Sequence, residues 1–301
     1  MSNLITDVKN LEIQTLKNLK NSKAQNTLRA YKADFNDFSS FCQNNGFSSL
    51  PTEPKILSLY ITHLSKSSKF STLKRRIASI SVIHKIKGHY LDTKHPIIME
   101  NIHGIKRLLG SRQKSKKPLL INDLKKIIKL INKENKRDKA LILLGFAGGF
   151  RRSELVNIYI EDIEFVPEGV KILIKKSKTD QSGEGTVKAI PYFKNQEFCP
   201  VRALKNYINN ECVDPHEERV FKISDKSVAL ILKKYIEKAG LDPSKYAGHS
   251  LRSGFATTAA EYGAEERNIM AMTGHKTTQM VRRYIKEANL FKNNALNKIK
   301  F

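Results

Sequence analysis

The stretch "GSRQKSKKP", residues 110–118, carries no apolar side chain except its closing proline, and it interrupts a chain otherwise patterned in apolar stripes. A polar, basic segment of this kind stays in solvent, so the chain must build one hydrophobic core before it and a second after it. With 301 residues, 40% of them hydrophobic, both halves have enough apolar surface to do so. The expected organisation is an N-terminal helical domain over residues 1–110, a basic linker over 111–118 and a second domain over 119–301. The linker's charge suits either a solvated tether or a strap lying along phosphates.

Ahead of the break the apolar spacing is helical. In "QNTLRAYKADFNDFSSFCQNNG", Leu28, Tyr31, Phe35, Phe38 and Phe41 recur every three or four residues, and Gly46 is a stop. "TEPKILSLYITHLSK" repeats the pattern with Pro54 in the first turn. "FSTLKRRIASISVIHKIKG" and "IIMENIHGIKRLL" add two more helices. Past the linker, "INDLKKIIKLINKENKRDKALILLGFAGGFRRSELVNI" is helical on both sides of a polar turn near Asn135, with Asn122 expected to cap its start. The period then changes to two, with strand-like runs at 163–166, 170–175 and 186–191 separated by "PEG" and a polar loop. Helices return from "PVRALKNYI" onward. The fold class is mainly α with a small antiparallel β-sheet.

Lys and Arg number 54 against 29 Asp and Glu, a formal charge of +25. Such self-repulsion is explained most economically by a polyanionic partner, nucleic acid first among them. Cys42, Cys199 and Cys212 are odd in number and not spaced as zinc ligands, which fits a reducing cytoplasm and no structural metal. The first residues lack the apolar core of a signal peptide, and no apolar run approaches a membrane span, so no membrane partner is expected.

Several polar residues stand out by type and spacing. Arg151 and Glu154 are three apart, as are His249 and Arg252; taken alone, each pair is an ordinary helical neighbour pair. Lys178 sits in "KKSKTDQSGEG", the loop of the expected hairpin. His275 precedes Tyr284 by nine positions, and Tyr284 follows Arg282 and Arg283. Taken together, Arg151, Lys178, His249, Arg252, His275 and Tyr284 supply two guanidiniums able to grip one phosphodiester, two imidazoles, an ammonium and a phenol. These are the parts of a phosphoryl transfer that needs no cofactor and no metal: arginines stabilise the pentavalent transition state, a phenol attacks, and an acid protonates the departing oxygen.

The boxes "GFRRSEL", "SKTD", "HSLR" and "GHKTTQMVRRY" resemble, in the same order, those of the tyrosine recombinases, the phage integrase and Cre-like family. The likeness spans roughly residues 20 to 290. It implies an N-terminal core-binding (SAM-like) helical domain and a tyrosine-recombinase catalytic domain. It implies further that Tyr284 is the nucleophile, forming a 3′-phosphotyrosyl bond and releasing a 5′-hydroxyl. Arg151 and Arg252 would bind the scissile phosphate, and Lys178 would be the general acid, with Lys175 and Lys176 as neighbours that a flexible hairpin can present instead. His249 would orient the phosphate and manage the tyrosine proton, His275 would hydrogen-bond the phosphate, and Glu154 would act as a brace.

Lys74, Arg75 and Arg76, near the start of the third helix, are nominated as DNA contacts in the major groove. The resemblance also implies a homotetramer that synapses two double-stranded sites, DNA-bending accessory proteins as further partners, and a C-terminal segment, "NLFKNNALNKIKF", that docks on a neighbour or folds back on its own domain. Three rival readings stand beside site-specific recombination. They are a type IB topoisomerase-like relaxing enzyme, a catalytically silent DNA-binding protein and a metal-dependent nuclease; the last lacks a carboxylate cluster.

Overall fold

The computed structural model describes residues 8–15, 18, 24–110, 115–175, 185–211, 219–288, 291 and 295–299. The chain divides into two units, Met1–Lys114 and Ser115–Phe301.

In the first unit, four helices enclose a core: α1 (Gln25–Asn44), α2 (Pro54–Ser65), α3 (Phe70–Ile86) and α4 (Pro96–Leu109). Prolines open α2 and α4 at the first helical turn, where a missing N–H leaves no bond unmade. The spaced apolar residues converge as Phe38, Leu57, Tyr60, Ile61, Leu73, Ile80, Ile98 and Ile102, with the free thiol of Cys42 packed among them.

A polar lattice ties α1, α2 and α3 across this core. Asp34 is buried, accepts from Ser79 Oγ at 2.7 Å and pairs with Arg75 Nη1 and with Arg76 Nε at 3.6 Å. Asp37 accepts from Tyr60 Oη at 2.6 Å and pairs with Arg76 Nη1. Arg75 and Arg76, nominated from the sequence as DNA contacts, also have an internal use here. A carboxylate buried beneath the helices requires cationic partners, and these two supply them. Arg76 keeps only 17% of its side chain exposed, whereas Arg75 keeps 47%. The Lys74 ammonium lies 5.5 Å over the Phe70 ring.

His84, fully buried, joins α3 to the turn before α2. Its Nδ1 lies 2.9 Å from the Ile80 carbonyl, which only accepts, so Nδ1 carries the proton and Nε2 accepts from the Thr52 N–H at 3.2 Å.

The second unit opens with α5 (Ile121–Leu130), α6 (Lys136–Ala147) and the short α7 (Arg152–Val156). Asn122 lies inside α5; its N-cap is Leu120, with no side-chain cap, because the chain is fixed there by the Leu119 N–H on the Ser250 carbonyl at 2.9 Å. Asn135 caps α6 by accepting from the Asp138 N–H at 3.1 Å. Strands β1 (Ile163–Val166), β2 (Gly169–Ile174) and β3 (Thr186–Pro191) form an antiparallel sheet in sequence order, pairing Val166 with Gly169 and Ile174 with Thr186. Helices α8 (Pro200–Glu211), α9 (Asp225–Lys238), α10 (Ser250–Glu261), α11 (Glu266–Thr273) and α12 (Thr278–Ala288) follow.

Helix α10 is the axis of the unit, packing against α6, α11 and α12. Its approach to the start of the unit is close. A Cβ at Gly254 would stand 2.0 Å from the Leu119 carbonyl oxygen, so no other residue fits there. The loop with Lys176 and Lys178, and most of the C-terminal segment, lie outside the described residues; within that segment Phe291, Leu296 and Ile299 are exposed. No described helix is long and apolar enough to cross a membrane.

Burial holds the His84 pKa below its usual 6.5. The folded state thus binds fewer protons at this ring than the unfolded chain does. Its contribution to stability is full above about pH 6.5 and is lost as pH falls from there toward the lower folded pKa. Urea denaturation of the wild type and a His84→Phe variant should show the wild type losing its advantage between about pH 7 and about pH 5. Parallel slopes for the two proteins would remove His84 from the account.

Candidate active site

The turn between α6 and α7 places the first arginine. Arg151 is the residue before α7, so it does not share a helical face with Glu154 as spacing alone suggested. Glu154, in the first turn and 4% exposed, accepts from the Arg151 backbone N–H at 2.9 Å and from its Nη1 at 2.5 Å. One carboxylate thus caps the helix and aims the guanidinium. Nη2 of Arg151 donates to the Gly274 carbonyl at 3.1 Å, linking this turn to the end of α11.

Arg252 projects from the first turn of α10 and is 1% exposed. Its Nη1 donates to the Gly149 carbonyl at 2.9 Å, while Nε and Nη2 meet no hydrogen-bond partner among the described residues. Burial first, then the neighbouring Arg151, pushes its pKa down to about 10. Two buried cationic donors without acceptors are costly and form a socket for an anion.

His249 precedes α10, and its Nε2 lies 3.4 Å from the Tyr284 hydroxyl on α12. Burial and then Arg252, Arg151 and Arg152 lower the His249 pKa, keeping the ring neutral and able to accept a proton. His275 follows Gly274, whose φ of 61° places it in the left-handed region and turns the chain back after α11. The His275 ring centroid is 6.0 Å from that of Tyr284. Burial, followed by Arg252, Arg151, His249 and Lys188, pushes its pKa down to about 4.

Five of the six residues singled out from the sequence are therefore brought together: Arg151, His249, Arg252, His275 and Tyr284. Lys178 and its neighbour Lys176 lie outside the described residues. The remaining alternative, Lys175, has its ammonium between Glu161 and Asp162 and 5.3 Å over the Tyr159 ring. The bonds from Glu161 and then Asp162 raise its pKa, the wrong direction for releasing a proton.

The sequence reading missed Lys188. It is 4% exposed on β3, and its ammonium donates to the Gly148 carbonyl at 2.7 Å and the Met272 carbonyl at 2.5 Å, over the Phe150 ring at 4.5 Å. It straps the turn that carries Arg151 to the helix end that carries His275. Burial outweighs the attraction of Glu154, and with Arg252 and Arg151 it brings the pKa down to about 8. The available signal was strand alternation, because in "TVKAIP" Lys188 shares the inward face with Ile190. Among the described residues no group of three or more His, Cys, Asp or Glu side chains stands close enough to hold a metal.

A helical unit, a second helical unit with a three-stranded sheet, and a phenol placed beside an imidazole and two guanidiniums define the class of enzymes that break and rejoin DNA through tyrosine. The chain belongs to the phage integrase family, whose model matches residues 117–290. It is 42% identical over 307 residues to an integrase/recombinase xerD homolog of Selenomonas ruminantium, covering 96% of this chain and 89% of that one. Its fold resembles that of the Tn1549 transposon integrase solved with transposon right end DNA, with a TM-score of 0.65 at 15% identity over 93% of this chain and 97% of the other. The XerH site-specific recombinase bound to palindromic difH substrate gives a TM-score of 0.61 at 18% identity, over 81% and 73% of the two chains.

Glu154 is the partner on which the geometry of Arg151 depends. A Glu154→Ala variant should lose about 3 kcal/mol of stability, as expected when one member of a buried ion pair is removed and the other left uncompensated. Denaturant unfolding of the full chain measures this, and a loss below about 1 kcal/mol would mean that solvent replaces the carboxylate.

Proposed function

We propose that the chain is a site-specific DNA recombinase that cleaves and rejoins strands through a 3′-phosphotyrosyl intermediate on Tyr284. The observation that carries this reading is the Arg252 guanidinium, buried with two open donors, alongside Arg151 and beside a phenol that contacts a neutral imidazole.

The chemistry follows from these groups. A phosphodiester entering the socket supplies the acceptors that Arg252 Nε and Nη2 lack, and Arg151 adds a second guanidinium. As the Tyr284 oxygen bonds to phosphorus, its proton passes to His249 Nε2, and the arginines stabilise the charge that builds on the equatorial oxygens. The bond to the 5′-oxygen breaks, and that oxygen takes a proton from Lys178. The reverse sequence, with a new 5′-hydroxyl as nucleophile, rejoins the strand. Energy is conserved in the phosphotyrosyl bond, so no cofactor is required.

The net charge of +25 supplies sequence-independent affinity for double-stranded DNA, and this part weakens steeply with salt. In the first unit Lys74 and the half-exposed Arg75 are the DNA contacts of choice, and Arg76 is assigned to the internal lattice. A homotetramer on two DNA sites is the assembly this reading carries, with the C-terminal segment docking on a neighbour or folding back on its own domain. DNA-bending accessory proteins complete the set of partners, and the proposed place of work is the cytoplasm. The type IB topoisomerase-like reading is disfavoured by the 42% identical relative, which matches both units of the chain.

Covalent trapping tests the nucleophile. Wild-type protein incubated with labelled DNA fragments from its source and then denatured should carry DNA at one recurring sequence, and Tyr284→Phe should bind the same DNA with no adduct. Adducts from the Phe variant would overturn the assignment; adducts at scattered sequences would favour a topoisomerase.

The general acid has its own test. Lys178→Ala should slow cleavage of ordinary DNA by about a hundredfold or more. It should recover on DNA whose scissile 5′-oxygen is replaced by sulfur, a leaving group that needs no proton. Recovery by Lys176→Ala and not by Lys178→Ala would transfer the role.

A further inference from the structure

Thr273, the last residue of α11, was not singled out by its sequence context, yet it is fully buried against His275. The left-handed turn at Gly274 brings them together. The Gly274 and His275 backbone N–H groups both donate to the Met270 carbonyl, at 2.7 and 3.3 Å, so the chain doubles back and lays the imidazole over the threonine. Thr273 Oγ1 then lies 2.6 Å from the Ile269 carbonyl oxygen and 2.7 Å from His275 Nδ1.

Proton counting decides the direction of both bonds. A carbonyl oxygen only accepts, and a threonine hydroxyl has a single proton. At 2.6 Å that proton lies between Oγ1 and the Ile269 carbonyl. Oγ1 therefore offers His275 only a lone pair, and the short contact to Nδ1 requires the proton on Nδ1.

We propose that Thr273 is a positioning residue that fixes His275 as the Nδ1–H tautomer, so that its Nε2 is presented as a hydrogen-bond acceptor. The inference rests on the assignment of His275 to the active site. The ring is neutral, held so by burial and by Arg252, Arg151, His249 and Lys188 around it. A neutral ring with its one proton on Nδ1 has none on Nε2. It cannot donate from Nε2 to a phosphate oxygen, the role the family resemblance implied. That role is open to it only after Nε2 gains a proton, or after the Thr273 bond is broken. The threonine hydroxyl thus decides whether this imidazole meets DNA as acceptor or donor.

The experiment is nitrogen-15 imidazole spectroscopy on the full-length DNA-free protein near neutral pH, with the His275 signals identified by their loss in His275→Asn. The expected result is a protonated Nδ1 and a bare Nε2 in the wild type, the same pattern in Thr273→Ser, and loss of that pattern in Thr273→Val. The Val variant is near-isosteric and lacks only the hydroxyl. A protonated Nε2 in the wild type would overturn the proposal, as would an unchanged pattern in Thr273→Val. If the Val variant fails to fold, the wild-type and Ser spectra still decide.

Adduct formation on nicked suicide DNA gives the second readout. Thr273→Ser should react within about twofold of wild type, and Thr273→Val should be slowed about tenfold or more, as when the group that orients a working imidazole is removed. DNA affinity should be unchanged in both. Equal rates for all three proteins would limit Thr273 to packing. Absence of adduct from the wild type would count against the recombinase reading and leave the tautomer result standing.

Discussion

Burying the guanidinium of Arg252 is the placement on which the second unit depends. A cation taken out of water is held only where surrounding dipoles and charges compensate it. Here the Gly149 carbonyl and the field of Glu154 do part of this, and the open Nε and Nη2 leave the remainder to an incoming anion. Much of the nearby structure serves that arrangement. Helix α10 approaches the Leu119 backbone through Gly254, the turn at residues 148–150 offers its carbonyls inward, and Lys188 straps that turn to the end of α11. On the proposed reading, stability is given up locally so that a phosphodiester finds the donors already aimed.

The same field sets the protonation of everything around it. Four cationic side chains, Arg151, Arg152, Arg252 and Lys188, bear on His249 or His275, and together with burial they keep both imidazoles neutral. A neutral His249 beside the Tyr284 hydroxyl is a base, whereas a protonated one there would only repel the arginines. Lys188 is itself brought down to about 8 by burial and by the two arginines. In the proposed reaction the positive potential acts twice, once on the phosphate and once by keeping bases available for the phenol proton.

The first unit solves a related problem in a different way. Asp34 is buried between α1 and α3 and draws Arg75 and Arg76 onto itself, with Ser79, Tyr60 and Asp37 closing the lattice. Arginines on a basic helix are thereby divided between holding the helices together and facing solvent. Lys74 and the outer part of Arg75 remain exposed. Charge counting along a helix does not reveal this division, because the partner carboxylates are about forty residues away in sequence.

What the sequence determined by itself is what depends on local spacing. The helix periods of both halves and the switch to period two over 163–191 could be read there, since each is a pattern of neighbours, whereas Arg151, His249, Arg252, His275 and Tyr284 were singled out only by their order along the chain and the family likeness. The tertiary structure alone decided the long-range pairings. It set Arg151 ahead of α7 and on Glu154, withdrew Lys175 to Asp162, committed Arg76 to Asp34 and Asp37, and buried Lys188 on the Gly148 and Met272 carbonyls and Thr273 against His275. The physical reason is that a hydrogen bond or ion pair depends on distance in space. A lysine on a strand or a threonine at a helix end has the same local chemistry whether it meets water, a carbonyl or an imidazole, and only the packed fold supplies that partner.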